Sequence, residues 1–285
     1  MRGHRFGYAL YEPVPFERLY PGMLGFLDEY QRWHPILDLN DKEKVQAEGY
    51  FPLGYTQRAD PKMRRYLPLT ASSVLTTDIA LRVNCDATAP SPPLDVSGVI
   101  SYSTGGDFGA ILVCDTEVVA EGFDFRDPFK VWLQRNAKLL FSKYPDAEKH
   151  GLCVATWTYS TTDIHISTWE GAGNSVTVGC TASAMDIGPV GPQTTWFRGH
   201  ASSGWSSYTD QKRVTFFAGV KIEKGPFGPL EKSEKSCCRC SNRFMVESED
   251  EPNGYYLARF ELFGDNWYDI QDDLTPTRFR PNRVR

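Results

Sequence analysis

Apolar and polar residues alternate one by one through much of the middle of the chain. Between residues 94 and 103, Val96, Gly98, Ile100 and Tyr102 interleave with Ser97, Val99, Ser101 and Ser103. That period of two places successive side chains on opposite faces of a β-strand. Thr104-Gly105-Gly106-Asp107 is a turn sequence, and residues 108–119 return from it. Residues 94–119 therefore predict a pair of strands around a glycine-rich turn. Residues 152–159 and 164–169 predict a second pair, joined by Ser160-Thr161-Thr162-Asp163. Residues 175–181 and 213–222 complete a β-rich set. Residues 189–208, dense in Gly, Ser, Pro and Trp, read as a long irregular connection.

The period lengthens to three and four in one well-marked place. Phe129, Trp132, Leu133, Ala137, Leu140 and Phe141 fall on one helical stripe. Asp127 suits the capping position and Pro128 the first helical residue. Pro145 ends the segment. A helix between two strand pairs predicts an α+β fold rather than a plain sandwich. No internal repeat of solenoid type is present.

Composition narrows the classes. With 285 residues the chain has room for one large domain or two small ones. Hydrophobic residues at 41% and charged residues at 24% give a globular balance and exclude wholesale disorder. Lys and Arg number 31 against 36 Asp and Glu, a net of −5, which argues against nucleic acid as a general partner. No apolar run approaches the ~20 residues of a spanning helix. Residues 1–20, broken by Arg2, Arg5, Glu12 and Arg18, lack the apolar core of a secretory signal. The seven cysteines are odd in number and scattered, the pattern of reduced cytosolic thiols.

After Lys224 the character of the chain changes. Gly225-Pro226-Phe227-Gly228-Pro229 is a breaker cluster. From Phe244 to Asp273 nine acids face one base, Arg259, yet the same stretch holds Tyr255, Tyr256, Phe260, Phe263 and Trp267. Aromatic residues at that density point to a segment that docks. The division expected is residues 1–225 and a short tail of residues 226–285.

Candidate chemistry is sparse. The chain has no nucleophile elbow, phosphate-binding loop, dinucleotide fingerprint or zinc-protease motif, and neither catalytic residues nor a cofactor are expected. Asp163 and His165 share a strand face, for which an exposed face beside a turn is the simpler reading. Cys237, Cys238 and Cys240 lack the second ligand pair that a structural zinc site needs, so no metal is expected. The informative cluster is basic. Arg58, Lys62, Arg64 and Arg65, with Met63 among them, lie between residues 51–55 and 66–69, which read as strands, so the cluster is placed on a hairpin tip. Such a run serves equally as a solvated loop or as a contact with an anionic membrane surface, where each base contributes ~1 kcal/mol. The alternating strands are open in the same way: a half-buried soluble sheet and a transmembrane β-strand share one pattern.

The order of the pieces resembles the pore-forming N-terminal domain of the gasdermins, most closely the short fungal gasdermin-like proteins of regulated cell death. Trp33-His34-Pro35-Ile36-Leu37-Asp38-Leu39 is similar to the stretch after the family's first helix, and residues 51–74 to its first hairpin with the basic tip at 61–66. Residues 96–113 fall where the first membrane-inserting region lies. Ile164-His165-Ile166 and Val176-Thr177-Val178 fall in the second. Gly151-Leu152-Cys153-Val154-Ala155-Thr156 and Val214-Thr215-Phe216-Phe217-Ala218-Gly219-Val220 resemble two further strands of the family. The likeness spans about residues 30–225. Unlike the family's basic amphipathic first helix, residues 16–30 contain Pro21, Gly22 and Gly25 and do not read as a helix.

The resemblance implies a twisted antiparallel sheet with flanking helices and a short autoinhibitory tail. It implies a non-enzymatic protein, cytoplasmic when inactive and at the cell membrane when activated. Its implied partners are acidic phospholipid, which Arg58, Lys62, Met63, Arg64 and Arg65 would meet, further copies of itself in a large oligomer, and an activating protease or partner subunit. Two other readings stand beside it. One is a soluble β-rich ligand- or carbohydrate-binding module using Trp157, Trp169, Trp196 and Trp205. The other is an enzyme without a recognised motif using Asp163, His165 or His200.

Overall fold

A computed structural model of the chain describes residues 6–66, 68–71, 73–85, 94–106, 108–171, 175–183, 195–198, 205–224, 243–247 and 255–263. In chain order the elements begin with β1 (Tyr8–Pro15), a 3-10 turn (Phe16–Arg18), β2 (Met23–Leu27), β3 (Trp33–Asp38) and α1 (Lys42–Ala47). Then come β4 (Lys62–Arg64), β5 (Leu69–Thr70), β6 (Val74–Cys85), β7 (Leu94–Thr104), β8 (Phe108–Cys114) and β9 (Val118–Gly122). α2 (Asp127–Lys143) and α3 (Pro145–His150) precede β10 (Leu152–Thr161), β11 (Ile164–Glu170), β12 (Ser175–Ser183), β13 (Thr195–Arg198) and β14 (Trp205–Tyr208). β15 (Arg213–Lys224), β16 (Arg243–Glu247) and β17 (Tyr255–Phe263) follow. The result is α+β: mostly antiparallel sheet with few helices.

The chain packs as two units, one of residues 1–62, 120–160 and 214–285, the other of residues 63–119 and 161–213. In the first, the strand order is β16-β17-β15-β10-β2-β3, with β1 on β15 and β9 on β10. α2 covers one side of this sheet. Its expected stripe is buried in full, Phe129, Trp132, Leu133, Ala137, Leu140 and Phe141 packing on Leu152, Val154, Val220 and Ile222. Burying each large apolar side chain contributes ~1.5–3 kcal/mol, so this stripe outweighs the modest helix propensity of its aromatics. Leu19, Trp33, Cys153, Ala155 and Phe217 form a second apolar cluster. Gly151, with φ of +79°, turns the chain from α3 into β10 through a conformation only glycine adopts freely.

The second unit holds two four-stranded sheets, β14-β11-β8-β5 and β13-β12-β7-β6. Ile111, Val113 and Trp169 of the first pack with Tyr102, Val176 and Val178 of the second. The strands predicted over residues 94–103, 108–119, 152–159, 164–169, 175–181 and 213–222 are present, the 108–119 return being divided into β8 and β9, but the predicted pairs are not. β7 pairs with β6 and β12, while β8 pairs with β5 and β11. β10 lies in the first unit's sheet and β11 in the second unit. Each turn thus carries the chain from one sheet to another.

Three smaller expectations are corrected as well. Asp127 is the first helical residue and not the cap. Arg126 holds the cap position and its side chain makes no capping hydrogen bond to the first turn, while Pro128 has no N–H there to satisfy. Residues 189–208 are not wholly irregular, since they contain β13 and β14. Of the two strands expected around the basic cluster, residues 51–55 form none and the described residues of 66–69 contribute only Leu69, the start of β5; Phe51 is held by α2 instead, and Gln57 further on accepts from the Asp124 amide at 3.1 Å. The basic cluster therefore runs through an irregular segment into β4 and does not cap a hairpin. Residues 16–30 are indeed not an α-helix, forming the 3-10 turn and β2.

Candidate functional site

The segment that carries the basic cluster is strapped down at its start. Asn136, buried in α2, accepts from the Phe51 amide at 2.9 Å and donates to Trp132 O at 2.9 Å. The Trp132 indole donates to Phe51 O at 2.6 Å. A second strap lies further on. Arg58 makes a backbone bridge with Phe123, and the Ala59 amide donates to Gly122 O at 3.0 Å. Between the straps, Phe51 and Tyr55 stand 59% and 83% exposed.

Arg58 is exposed, but its guanidinium is oriented. It donates to Asn40 Oδ1 at 3.2 Å and lies 4.9 Å from the centre of the Phe123 ring. Asn40 is itself held by Pro21 O and Asp38. Tyr20 donates to the same Asp38 at 2.8 Å, and burial together with that carboxylate pushes its phenol up to about 12. Arg58 and Lys62 then line a cavity of about 310 Å³ whose wall includes Trp157, Asp60 and Asp124. The buried Trp157 indole donates to Phe123 O at 2.9 Å. Two cations against two carboxylates leave this cavity balanced in formal charge.

In β4 the pattern alternates. Lys62 and Arg64 are half-buried, Met63 is 64% exposed, and Arg65 beyond the strand is exposed. The structure therefore brings Arg58 and Lys62 to one cavity and leaves Met63 and Arg65 on the surface. Sequence reasoning singled out Met63 but missed Phe51 and Tyr55. Their signal was local: Pro52 and Gly54 beside them weaken the strand in which they would have packed.

The reading of Asp163 and His165 as an exposed pair is overturned. His165 is buried, its Nδ1 2.8 Å from Ser207 Oγ and its Nε2 3.1 Å from Asp115 Oδ2. Strand pairing causes this, since β14 places Ser207 directly across from His165 and β8 ends beside it. Asp163 takes part only through its carbonyl, which accepts from the Asp115 amide at 3.3 Å. A serine, an imidazole and a carboxylate in sequence are the contacts of a nucleophilic triad. Here, however, the serine sits on Nδ1 and the carboxylate on Nε2, the reverse of the usual arrangement. The Asp115 Oδ1 atom is buried and has no hydrogen-bond partner among the described residues. The network ties β14, which among the described strands pairs with β11 alone, to the end of β8.

Trp157 and Trp169 are buried and Trp205 is half-buried, while Trp196 lies in β13. His200, Cys237, Cys238 and Cys240 fall outside the described residues. Among the described residues no three His, Cys, Asp or Glu side chains gather to hold a metal, and no helix is long and apolar enough to cross a membrane. No known family model and no curated protein matches the chain.

Proposed function

We propose that the chain is a pore-forming protein of gasdermin type, held inactive by its C-terminal tail and released when that tail is removed or displaced. The supporting observation is the way β7, β8, β11 and β12 are connected. Each consecutive pair is split between two sheets, so that β7 lies on β12 and β8 on β11. Releasing these two pairings and pairing β7 with β8 and β11 with β12 instead gives two hairpins without changing the chain's connectivity.

The residue pattern suits that second arrangement. In β12, Val176, Val178, Cys180 and Ala182 alternate with Ser175, Thr177, Gly179, Thr181 and Ser183. β7 alternates in the same way. One face is fit for lipid and the other for water. β7 has 11 residues and β12 has 9, within the ~9–11 needed to cross the hydrocarbon core, while β8 and β11 have 7 each and must lengthen on insertion. Hairpins from many copies must close into a barrel, because an open sheet edge in lipid strands its peptide groups.

Arg58, Lys62, Met63, Arg64 and Arg65 provide the first contact with acidic phospholipid. At ~1 kcal/mol per base near the surface, reversing Lys62, Arg64 and Arg65 weakens binding by ~100-fold or more. The inactive protein is placed in the cytoplasm and the active oligomer at the cell membrane.

The test is dye release from phosphatidylcholine vesicles with and without phosphatidylserine. The full chain is compared with a form ending near Gly225. Leakage from the acidic vesicles by the shortened form supports the proposal. If both forms leave the vesicles tight, the proposal fails, and the soluble ligand-binding module becomes the reading to test by thermal-shift screening.

A further inference from the structure

The edge of β15 is occupied by a strand whose pattern fits it. β17 pairs antiparallel with residues 219–224, the register running from Gly219 opposite Phe263 to Lys224 opposite Ala258. At one end of this ladder the apolar fit is visible. Phe263 is 8% exposed, its ring centre 4.5 Å from that of Tyr8 and 5.4 Å from that of Phe217, while its neighbour Leu262 is 52% exposed. At this end of the strand Phe263 is seated and Leu262 is turned out.

Charge follows the same register. Glu261 falls opposite Lys221 and Arg259 opposite Glu223. Opposite charges directly across an antiparallel pair stabilise it, and like charges destabilise it. On the β15 side the charges are already fixed, since Lys221 is buried and forms an ion pair with Glu223 on its own strand.

We infer that the edge of β15 is a strand-accepting surface, and that its partner is this chain's own segment Tyr255–Phe263. Main-chain bonds supply affinity there. Specificity comes from an aromatic residue seated on Tyr8 and Phe217, an acid two residues before it and a base two residues before that. The tail is therefore held by this ladder and not by its covalent link. A single cut between Lys224 and Arg243 leaves it docked, and release requires a competitor for the edge. The inference builds on tail autoinhibition only for its consequence at a membrane; the docking itself stands apart from pore formation.

The experiment uses the full chain with a specific protease sequence placed within residues 225–242. After complete cutting, gel filtration reports whether the two fragments stay together. Co-elution is expected. Phe263→Ala weakens retention by roughly 30-fold or more, from the loss of a seated aromatic ring. Reversing the tail charges with Arg259→Glu and Glu261→Lys separates the fragments. Adding Lys221→Glu and Glu223→Lys on β15 restores co-elution. The tail variants leave the body unaltered, and its circular dichroism checks that it stays folded. Separation of the unsubstituted fragments, or undiminished retention of the charge-reversed tail, overturns the inference. Vesicle leakage is read in parallel. Fragments that co-elute and respond to the substitutions, with no leakage from any form, establish the docking surface and overturn pore formation.

Discussion

The clamp of α2 on Phe51 sets how the basic segment leaves the core, and Asn136→Ala tests it directly. Asn136 is 2% exposed and makes two bonds, one with the Phe51 amide and one with Trp132 O. Each contributes a net ~1 kcal/mol, and the amide left behind adds up to ~1 kcal/mol because Phe51 lies partly open to water. The sum is ~2–3 kcal/mol. In a protein of this size each kcal/mol lowers the midpoint by ~2–4 °C, so the transition of the unit that contains α2 falls by roughly 4–12 °C.

Trp132→Phe removes the donor to Phe51 O and part of a buried ring, and costs ~2–3 kcal/mol. Both residues hold the same backbone unit, so the double variant loses less than the two costs added together. Differential scanning calorimetry measures the stability. Amide hydrogen exchange across residues 51–57 measures the clamp, and both single variants should speed it. Wild-type stability together with wild-type exchange in Asn136→Ala would refute the claim that these bonds position the segment.

Other substitutions probe separate parts of the molecule. A Cβ on Gly219 would run into Val154 O, so Gly219→Ala forces β15 from β10 and costs ~3 kcal/mol or more; an unchanged melting curve would show that the strands yield without cost. Burial raises the Asp28 carboxyl, but bonds from His34 and from the amides of Arg32 and Tyr30 more than offset this and hold it below its usual value. Its stabilising effect is therefore full at neutral pH and is lost as the pH falls below about 3.8. Asp28→Asn should lower the melting point at pH 7 and converge with wild type in acid, and parallel curves at all pH values would contradict this. His165→Leu leaves Ser207 and Asp115 without their imidazole and costs ~2–3 kcal/mol. Faster exchange in residues 205–208 is expected, and unchanged protection there would mean that backbone pairing alone holds β14.

Much of this architecture was legible along the chain because side-chain period is a local property. The alternation at residues 94–103 reports two faces of a strand whatever lies beside it, and the stripe from Phe129 to Phe141 reports a helix with one buried side. The expectation that the tail docks was read in the same local way, from aromatic residues set among acids. The period says which face is buried but not which strand lies alongside. A short turn brings no decisive advantage to its own two strands, because closing a loop costs only ~0.6 kcal/mol more for each doubling of its length. Burial against distant partners outweighs that, and so β7 lies on β12 and β8 on β11. The same long-range pairing carries His165 to Asp115 and Ser207, 50 and 42 residues away, which spacing along one strand had no means to reveal. Local sequence decided what most segments are, though not residues 51–55 or the strands within 189–208. The competition among segments for one shared interior decided where each of them lies.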